Sequence, residues 1–432
     1  IWFRLRIMHK ILFLFFYVAS VAVSGAAVAG TTGEDYNYPI PDPFAATVIG
    51  TPEPLRAKLP TDVPWGLGKL PPVREVPDVF WYYDEFVYIE AFQKKEAPLI
   101  FVIAGTGANA YSANNLALMK AFYQAGFHVA GITSPTHQNF VVSASATAVP
   151  GDLRRDAEDI YRVMEGIREN IPDKVKISEY FLTGYSLGGI QAAFVSLLDE
   201  ERQVFNFSKV LLINPPVSLY SSIGKLDRML ENVPGGMTNF NRFYDEIVHK
   251  VSDAYNKSDS VEFNQELIYK AFKENPPSDE ELAAVIGFAF RLSSSNMIFT
   301  SDVMTNYGFI KPANVELTKT TSLTEYGKVG MRVGFTDYFH EYFFPYYRAE
   351  DPSLTRHKMV EDNSLRSIED YLRNSPKIAV VTNQDDIILS QDEIDFFPRV
   401  FGDRAKIYPH GGHLGNLKQY QTTAYFVDYF TQ

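Results

Sequence analysis

At 432 residues with 46% apolar content, the chain is long enough to bury a full core and to carry one large domain plus an insertion, so a disordered chain is excluded. Lys and Arg total 40 against 52 Asp and Glu, a net charge of −12 with no basic run, which argues against nucleic acid as a partner. Cysteine is absent, which removes disulfides, thiolate metal sites and lipid-modified cysteine, and the 8 scattered histidines form no H-E-x-x-H motif, so neither a metal nor another cofactor is expected.

In chain order, Arg4, Arg6 and Lys10 precede an uncharged apolar run from Ile11 to Val23 and then Ser24-Gly25-Ala26-Ala27-Val28-Ala29. This is the n-region, h-region and A-x-A pattern of a secretory signal peptide over residues 1–29. Cleavage after Ala29 would remove three basic and no acidic residues, taking the net charge from −12 to −15. An uncleaved membrane anchor is the alternative, because Ile11 to Ala29 nearly reaches bilayer-spanning length. The chain opens on isoleucine, and Met8 is read as the start, with residues 1–7 an upstream extension. Export without disulfides fits a bacterial periplasm or medium.

Residues 30–78 form a proline-rich arm without periodicity, expected to run extended over the domain surface. The first part of a core is expected over residues 79–216. It comprises an aromatic, strand-like stretch from Phe80 to Phe92, a strand Leu99 to Ala104, a helix Asn114 to Ala125, and a strand His128 to Ile132. Leu153, Ala157, Ile160, Met164 and Ile167 recur at steps of four and three, marking an amphipathic helix within Gly151 to Asn170. A strand Tyr180 to Thr183, a helix Ile190 to Leu198 and a strand Lys209 to Ile213 follow. Such alternation argues for a mostly parallel sheet covered by helices on both faces.

Residues 217–375 interrupt the alternation and read as a mainly helical insertion. Ser278 with Glu281 makes a capping box ahead of a nearly all-apolar helix, Leu282 to Phe290, which serves as core or as the wall of an acyl pocket. Eight aromatics between Phe335 and Tyr347 fit either core or a lid over an apolar substrate. The core resumes over residues 376–432, with a strand Lys377 to Thr382, a capping box of Ser390 with Glu393, and a strand Ala405 to Tyr408.

The chemistry gathers at three loops. Gly184-Tyr185-Ser186-Leu187-Gly188-Gly189 lies between a strand and a helix, the context of a nucleophile elbow, where flanking glycines permit a sharp turn and the serine projects toward a base. Asp386 is the preferred acid and Asp385 the alternative, both on the loop after the Lys377 strand. His413, 27 residues beyond Asp386 and preceded by two glycines, is the base, with His410 the weaker candidate. The oxyanion is expected on the backbone amides of Leu187 and of Thr106, in the loop Gly105-Thr106-Gly107-Ala108-Asn109.

Ile103-Ala104-Gly105-Thr106, the Gly184 to Gly189 elbow, Gln384-Asp385-Asp386-Ile387-Ile388 and Gly411-Gly412-His413, in this order, resemble the α/β-hydrolase superfamily over about residues 80–216 and 376–432. One departure is Ala104, where that family often has histidine before the oxyanion glycine. The resemblance implies an α/β fold with a helical cap at residues 217–375, and a serine hydrolase acting without cofactor on a small-molecule or lipid-like ester. The cap would make transient membrane contact. The same triad would serve a thioesterase, peptidase or acyltransferase, and a non-catalytic lipid-binding protein of the envelope is a further alternative. Gly105-Thr106-Gly107-Ala108-Asn109-Ala110 also fits a dinucleotide-binding G-x-G-x-x-A, but the acidic residue such a site needs about 20 positions on is missing.

Overall fold

The computed structural model describes residues 36–230, 242 and 277–432. Residues 1–29, where a signal peptide is expected, and most of the middle of the 217–375 insertion therefore lie outside the described residues. Within them a single sheet of eight strands runs in the order β1-β2-β4-β3-β5-β6-β7-β8. Its strands are β1 (Gly66–Leu70), β2 (Phe86–Ala91), β3 (Ala97–Ile103), β4 (His128–Ile132), β5 (Ile177–Tyr185), β6 (Lys209–Ile213), β7 (Ile378–Asn383) and β8 (Ala405–Tyr408). The pairs β1–β2 and β2–β4 are antiparallel and all others parallel, so the sheet is mostly parallel, as the alternation of elements implies.

Two features of the N-terminal third differ from the sequence reading. The arm is not simply extended: it contains the helix α1 (Pro43–Ile49), capped by the Asp42 side chain, and contributes β1 to the sheet edge. Gly66-Leu67-Gly68-Lys69-Leu70 carries little apolar periodicity because it is an edge strand with neither face fully covered. The aromatic stretch also starts one turn too early as a strand. Asp78–Tyr83 is a 3-10 helix, and only Phe86–Ala91 pairs in the sheet.

Helices cover both faces. Side chains on β3 alternate between two buried clusters, with Leu99, Phe101 and Ile103 on one face and Ile100 and Val102 on the other. The first face is closed by α4 (Leu153–Asn170), which follows α2 (Ala113–Gln124) and α3 (Gln138–Ser143) in the chain, and by α5 (Leu187–Arg202). Leu153, Ala157, Ile160, Met164 and Ile167 of α4 are all buried there. The second face is closed by α2 and by the C-terminal helix Tyr420–Thr431, through Leu118, Phe122, Phe426 and Phe430.

Between β6 and β7 the described residues are helical: α6 (Leu219–Met229), α7 (Asp279–Thr305) and several short segments. The Ser278–Glu281 capping box is formed in both directions. Helix α7 is long and apolar enough to cross a membrane, yet two thirds of its most apolar stretch is buried within the protein. Its apolar surface is needed on every side. Leu282 packs on the arm, Ala284 and Phe288 on Leu230, and Met297, Ile298 and Val303 on the main core. The aromatic run resolves mostly as core, with Tyr338, Phe339, Tyr342, Phe343, Phe344 and Tyr347 buried around a π-helical turn at Phe339–Phe343.

Candidate active site

Strand β5 ends and α5 begins at Ser186, whose backbone (φ 55°, ψ −124°) lies where non-glycine residues are rarely found. Holding it there costs on the order of 1–3 kcal/mol, which the packed strand and helix on either side must offset. Sequence reasoning assigned the turn's conformational freedom to the flanking glycines, but the structure gives them another task. A Cβ on Gly184 would lie 2.1 Å from the Gly188 carbonyl oxygen, and one on Gly188 would lie 2.2 Å from that of Ile103. These glycines allow backbone to approach backbone, and the positive φ falls on the serine itself.

The three expected side chains meet at this elbow. Ser186 Oγ is 2.9 Å from His413 Nε2. His413 Nδ1 is 3.0 Å from both carboxylate oxygens of Asp386. An ionised carboxylate only accepts, so Nδ1 carries the proton and Nε2 is left to accept from the serine hydroxyl. Asp386 is fully buried, with Oδ2 accepting from Asn214 Nδ2 at 2.9 Å and Oδ1 from the Ile388 amide at 3.2 Å. Asn214, at the end of β6 with φ 44°, was not anticipated. Nothing in Asn214-Pro215-Pro216 distinguishes a loop residue beneath the acid from an ordinary strand terminus.

Asp385, the alternative acid, is placed differently. Its two oxygens accept the backbone amides of Gly411 and Gly412, at 3.2 and 2.9 Å, and so shape the loop that carries His413. Burial raises its pKa, outweighing those two amides, which lower it. The same loop is held by the arm. The His413 amide donates to Thr47 Oγ1 at 2.9 Å, and Gly412 lies so close to α1 that a Cβ there would be 2.2 Å from the Pro43 carbonyl oxygen. His410, the weaker candidate base, points away from the triad. Its Nε2 is 2.7 Å from the Tyr38 carbonyl oxygen, and its ring lies against Tyr36.

Thr106 and Leu187 line one narrow cavity, together with Thr136, Pro150, Gly151, Asp156, Leu219, Ile223, Phe290, Met297 and Phe335. Their amides have no hydrogen-bond acceptor among the described residues. The neighbouring Gly107 amide is already committed, at 2.9 Å, to Thr136 Oγ1. The loop's glycines meet protein rather than an open groove: a Cβ on Gly107 would lie 1.9 Å from Ser293 Oγ on α7, and one on Gly105 would lie 2.8 Å from the Tyr185 ring. Those contacts leave Gly105 to Ala110 in the wrong surroundings for a dinucleotide.

No family model matches the chain, and no curated protein matches it. Solved structures similar to it include an esterase of Pyrococcus furiosus, Pf2001, at 8% identity and a TM-score of 0.41 over 85% of this chain and 92% of that one. Brefeldin A esterase, a bacterial homologue of human hormone-sensitive lipase, is similar at 14% identity and a TM-score of 0.41, over 87% and 76% of the two chains. A bacterial membrane phospholipase A is similar at 13% identity and 0.40, over 85% and 86%. The chain's own sheet order, its serine elbow between β5 and α5, and the succession of serine, aspartate and histidine give it the α/β-hydrolase fold.

Proposed function

We propose that the chain is a serine hydrolase cleaving carboxylic esters of apolar acyl or lipid-like character. One observation carries the reading: the Ser186 hydroxyl is within hydrogen-bond reach of a histidine oriented by a buried aspartate. Two uncommitted amides stand in the adjoining cavity wall. Ser186 Oγ attacks the carbonyl carbon as His413 Nε2 takes its proton, and the Thr106 and Leu187 amides receive the oxyanion. Asp386 stabilises the imidazolium, which then gives its proton to the departing alkoxide. Water, activated by the same histidine, releases the acid from Ser186. A thioester, amide or second alcohol enters the same cycle, and the leaving group and acceptor are chosen by the cavity rather than by the triad. Export after removal of residues 1–29 to a bacterial periplasm or medium, with transient membrane contact through the cap, completes the proposal.

Covalent labelling by a fluorophosphonate tests it. Labelling of the wild type, its loss in Ser186→Ala and a large fall in His413→Ala are the expected results. A folded wild type that takes up no label would refute the hydrolase and leave a lipid-binding protein on this fold.

A further inference from the structure

One titratable side chain in the cavity wall has no part in the triad chemistry. Asp156, on the first turn of α4, is 2% exposed and shares that wall with Thr106 and Leu187. Its Oδ2 accepts from the Gly151 amide and from Gln191 Nε2, each at 3.0 Å. Its Oδ1 has no hydrogen-bond partner among the described residues. Of the other polar members of the wall, Thr136 Oγ1 accepts from the Gly107 amide, Ser294 Oγ donates to the Arg291 carbonyl, and Ser293 adds a further hydroxyl. The remaining lining is apolar, with Pro150, Leu219, Ile223, Phe290, Met297 and Phe335. The space in which the centre of a water-sized group can sit is about 20 Å³, enough for one small polar group beside Asp156. A carboxyl oxygen in such surroundings is costly while it is unpaired.

Resting on the hydrolase reading, we propose that Asp156 is a specificity-determining residue whose Oδ1 hydrogen-bonds a hydroxyl on the substrate's acyl chain, so that short hydroxyacyl esters are preferred over unsubstituted ones. Thr106 and Leu187, the residues assigned to the oxyanion, line the same cavity as Asp156, so the bonded group is placed on a short acyl chain. A neutral hydroxyl suits the site better than a cation. Burial, together with the Asp159 and Asp152 carboxylates on the same helix, raises the Asp156 carboxyl well above its usual range, against the Gly151 and Gln191 donors. From the aromatic segment packed against it, Tyr338 and Tyr347 face it with neutral hydroxyls, and no charge there offsets this. A neutral carboxyl can donate to, or accept from, a hydroxyl.

The test compares kcat/KM for p-nitrophenyl 3-hydroxybutyrate and p-nitrophenyl butyrate in the wild type, Asp156→Asn and Asp156→Leu, with fluorophosphonate labelling to count competent sites. The wild type is expected to favour the hydroxy ester by at least about tenfold. Asp156→Asn, which keeps a neutral donor and acceptor, should retain most of that preference, and Asp156→Leu should abolish or invert it. A wild type indifferent to the hydroxyl, or a preference that survives in Asp156→Leu, overturns the assignment. Loss of preference in Asp156→Asn equal to that in Asp156→Leu overturns the neutral-acid form of it. Calorimetric titration of methyl 3-hydroxybutyrate and methyl butyrate into Ser186→Ala reads the same preference as binding, so the Asp156 proposal is decided even if turnover is never seen.

Discussion

The two adjacent aspartates permit a sharp experiment, because the same chemical change, carboxylate to amide, is made one residue apart. In Asp386→Asn the amide nitrogen must face either the Ile388 amide or Asn214 Nδ2, both donors toward the native carboxylate. The backbone amide cannot turn, so the new oxygen takes that side, and Asn214 has to flip to accept from the new NH₂. His413 Nδ1, now between an oxygen and an NH₂, keeps one acceptor but also faces a donor, so its tautomer is no longer fixed, and the carboxylate charge that stabilises the imidazolium is gone. Loss of that function in a serine triad lowers turnover by about 10⁴, or about 5 kcal/mol of transition-state stabilisation. In Asp385→Asn one of the two glycine amides keeps an oxygen acceptor, while Thr47 and Asn383 still hold the loop through the His413 amide and the Gly412 carbonyl. The expected loss is about tenfold, or about 1.4 kcal/mol, the scale of one hydrogen bond. The assay is kcat/KM on a p-nitrophenyl ester, normalised to sites titrated by fluorophosphonate so that misfolded protein is not counted. Equal damage in the two variants, or an Asp386→Asn enzyme within tenfold of wild type, would refute the assignment of Asp386 as acid and Asp385 as loop-shaping residue.

Two further outcomes follow from packing and burial. Gly188→Ala places a methyl 2.2 Å from the Ile103 carbonyl oxygen and 2.8 Å from that of Ala104, so α5 must move away from β3. The cost is on the order of 1–3 kcal/mol, read as a lowered melting temperature together with slower fluorophosphonate labelling; an unchanged variant would mean that the elbow is less tightly packed than described. Glu90 on β2 is raised to about 7 by burial, and its Oε2 is buried without a partner. A carboxyl raised in the folded state is bound to its proton more tightly there than in the unfolded chain, so stability is fullest below pH 4.5 and falls as pH rises through about 7. Glu90→Gln should therefore raise stability at pH 8, on the order of 1 kcal/mol after allowance for partial exposure, and change little at pH 4. Denaturation at the two pH values decides it, and an equal effect at both would exclude titration as the cause.

Strong local signals lie behind the parts of the molecule legible in the chain. The strands His128–Ile132 and Lys209–Ile213 in the sheet interior, and Ala405–Tyr408 at its edge, are short runs bounded by turn residues, and each forms over the residues expected. The capping boxes at Ser278 and Ser390 depend on side chains three residues apart and need no tertiary partner to be recognised. Ser186, Asp386 and His413 could be ordered along the chain because the loops that carry them follow strands whose sequence is unambiguous. The edge strand Gly66–Leu70 had no such signal, since a strand with neither face fully covered needs no strong apolar alternation.

What only the tertiary structure decided is contact between segments far apart in the chain. Asp385 and Asp386 have the same chemistry and adjacent positions. Their roles separate because the loop after β7 turns one carboxylate to the imidazole and the other to the glycine amides 26 and 27 residues on. The same holds for the arm's Thr47 beneath His413, for Asn214 beneath Asp386, and for Asp156, which in sequence is only one more charge at a helix start. Periodicity and turn chemistry are short-range and can be read along a chain. The surroundings of a charge, and therefore whether it caps, positions or recognises, exist only once the chain has closed around it.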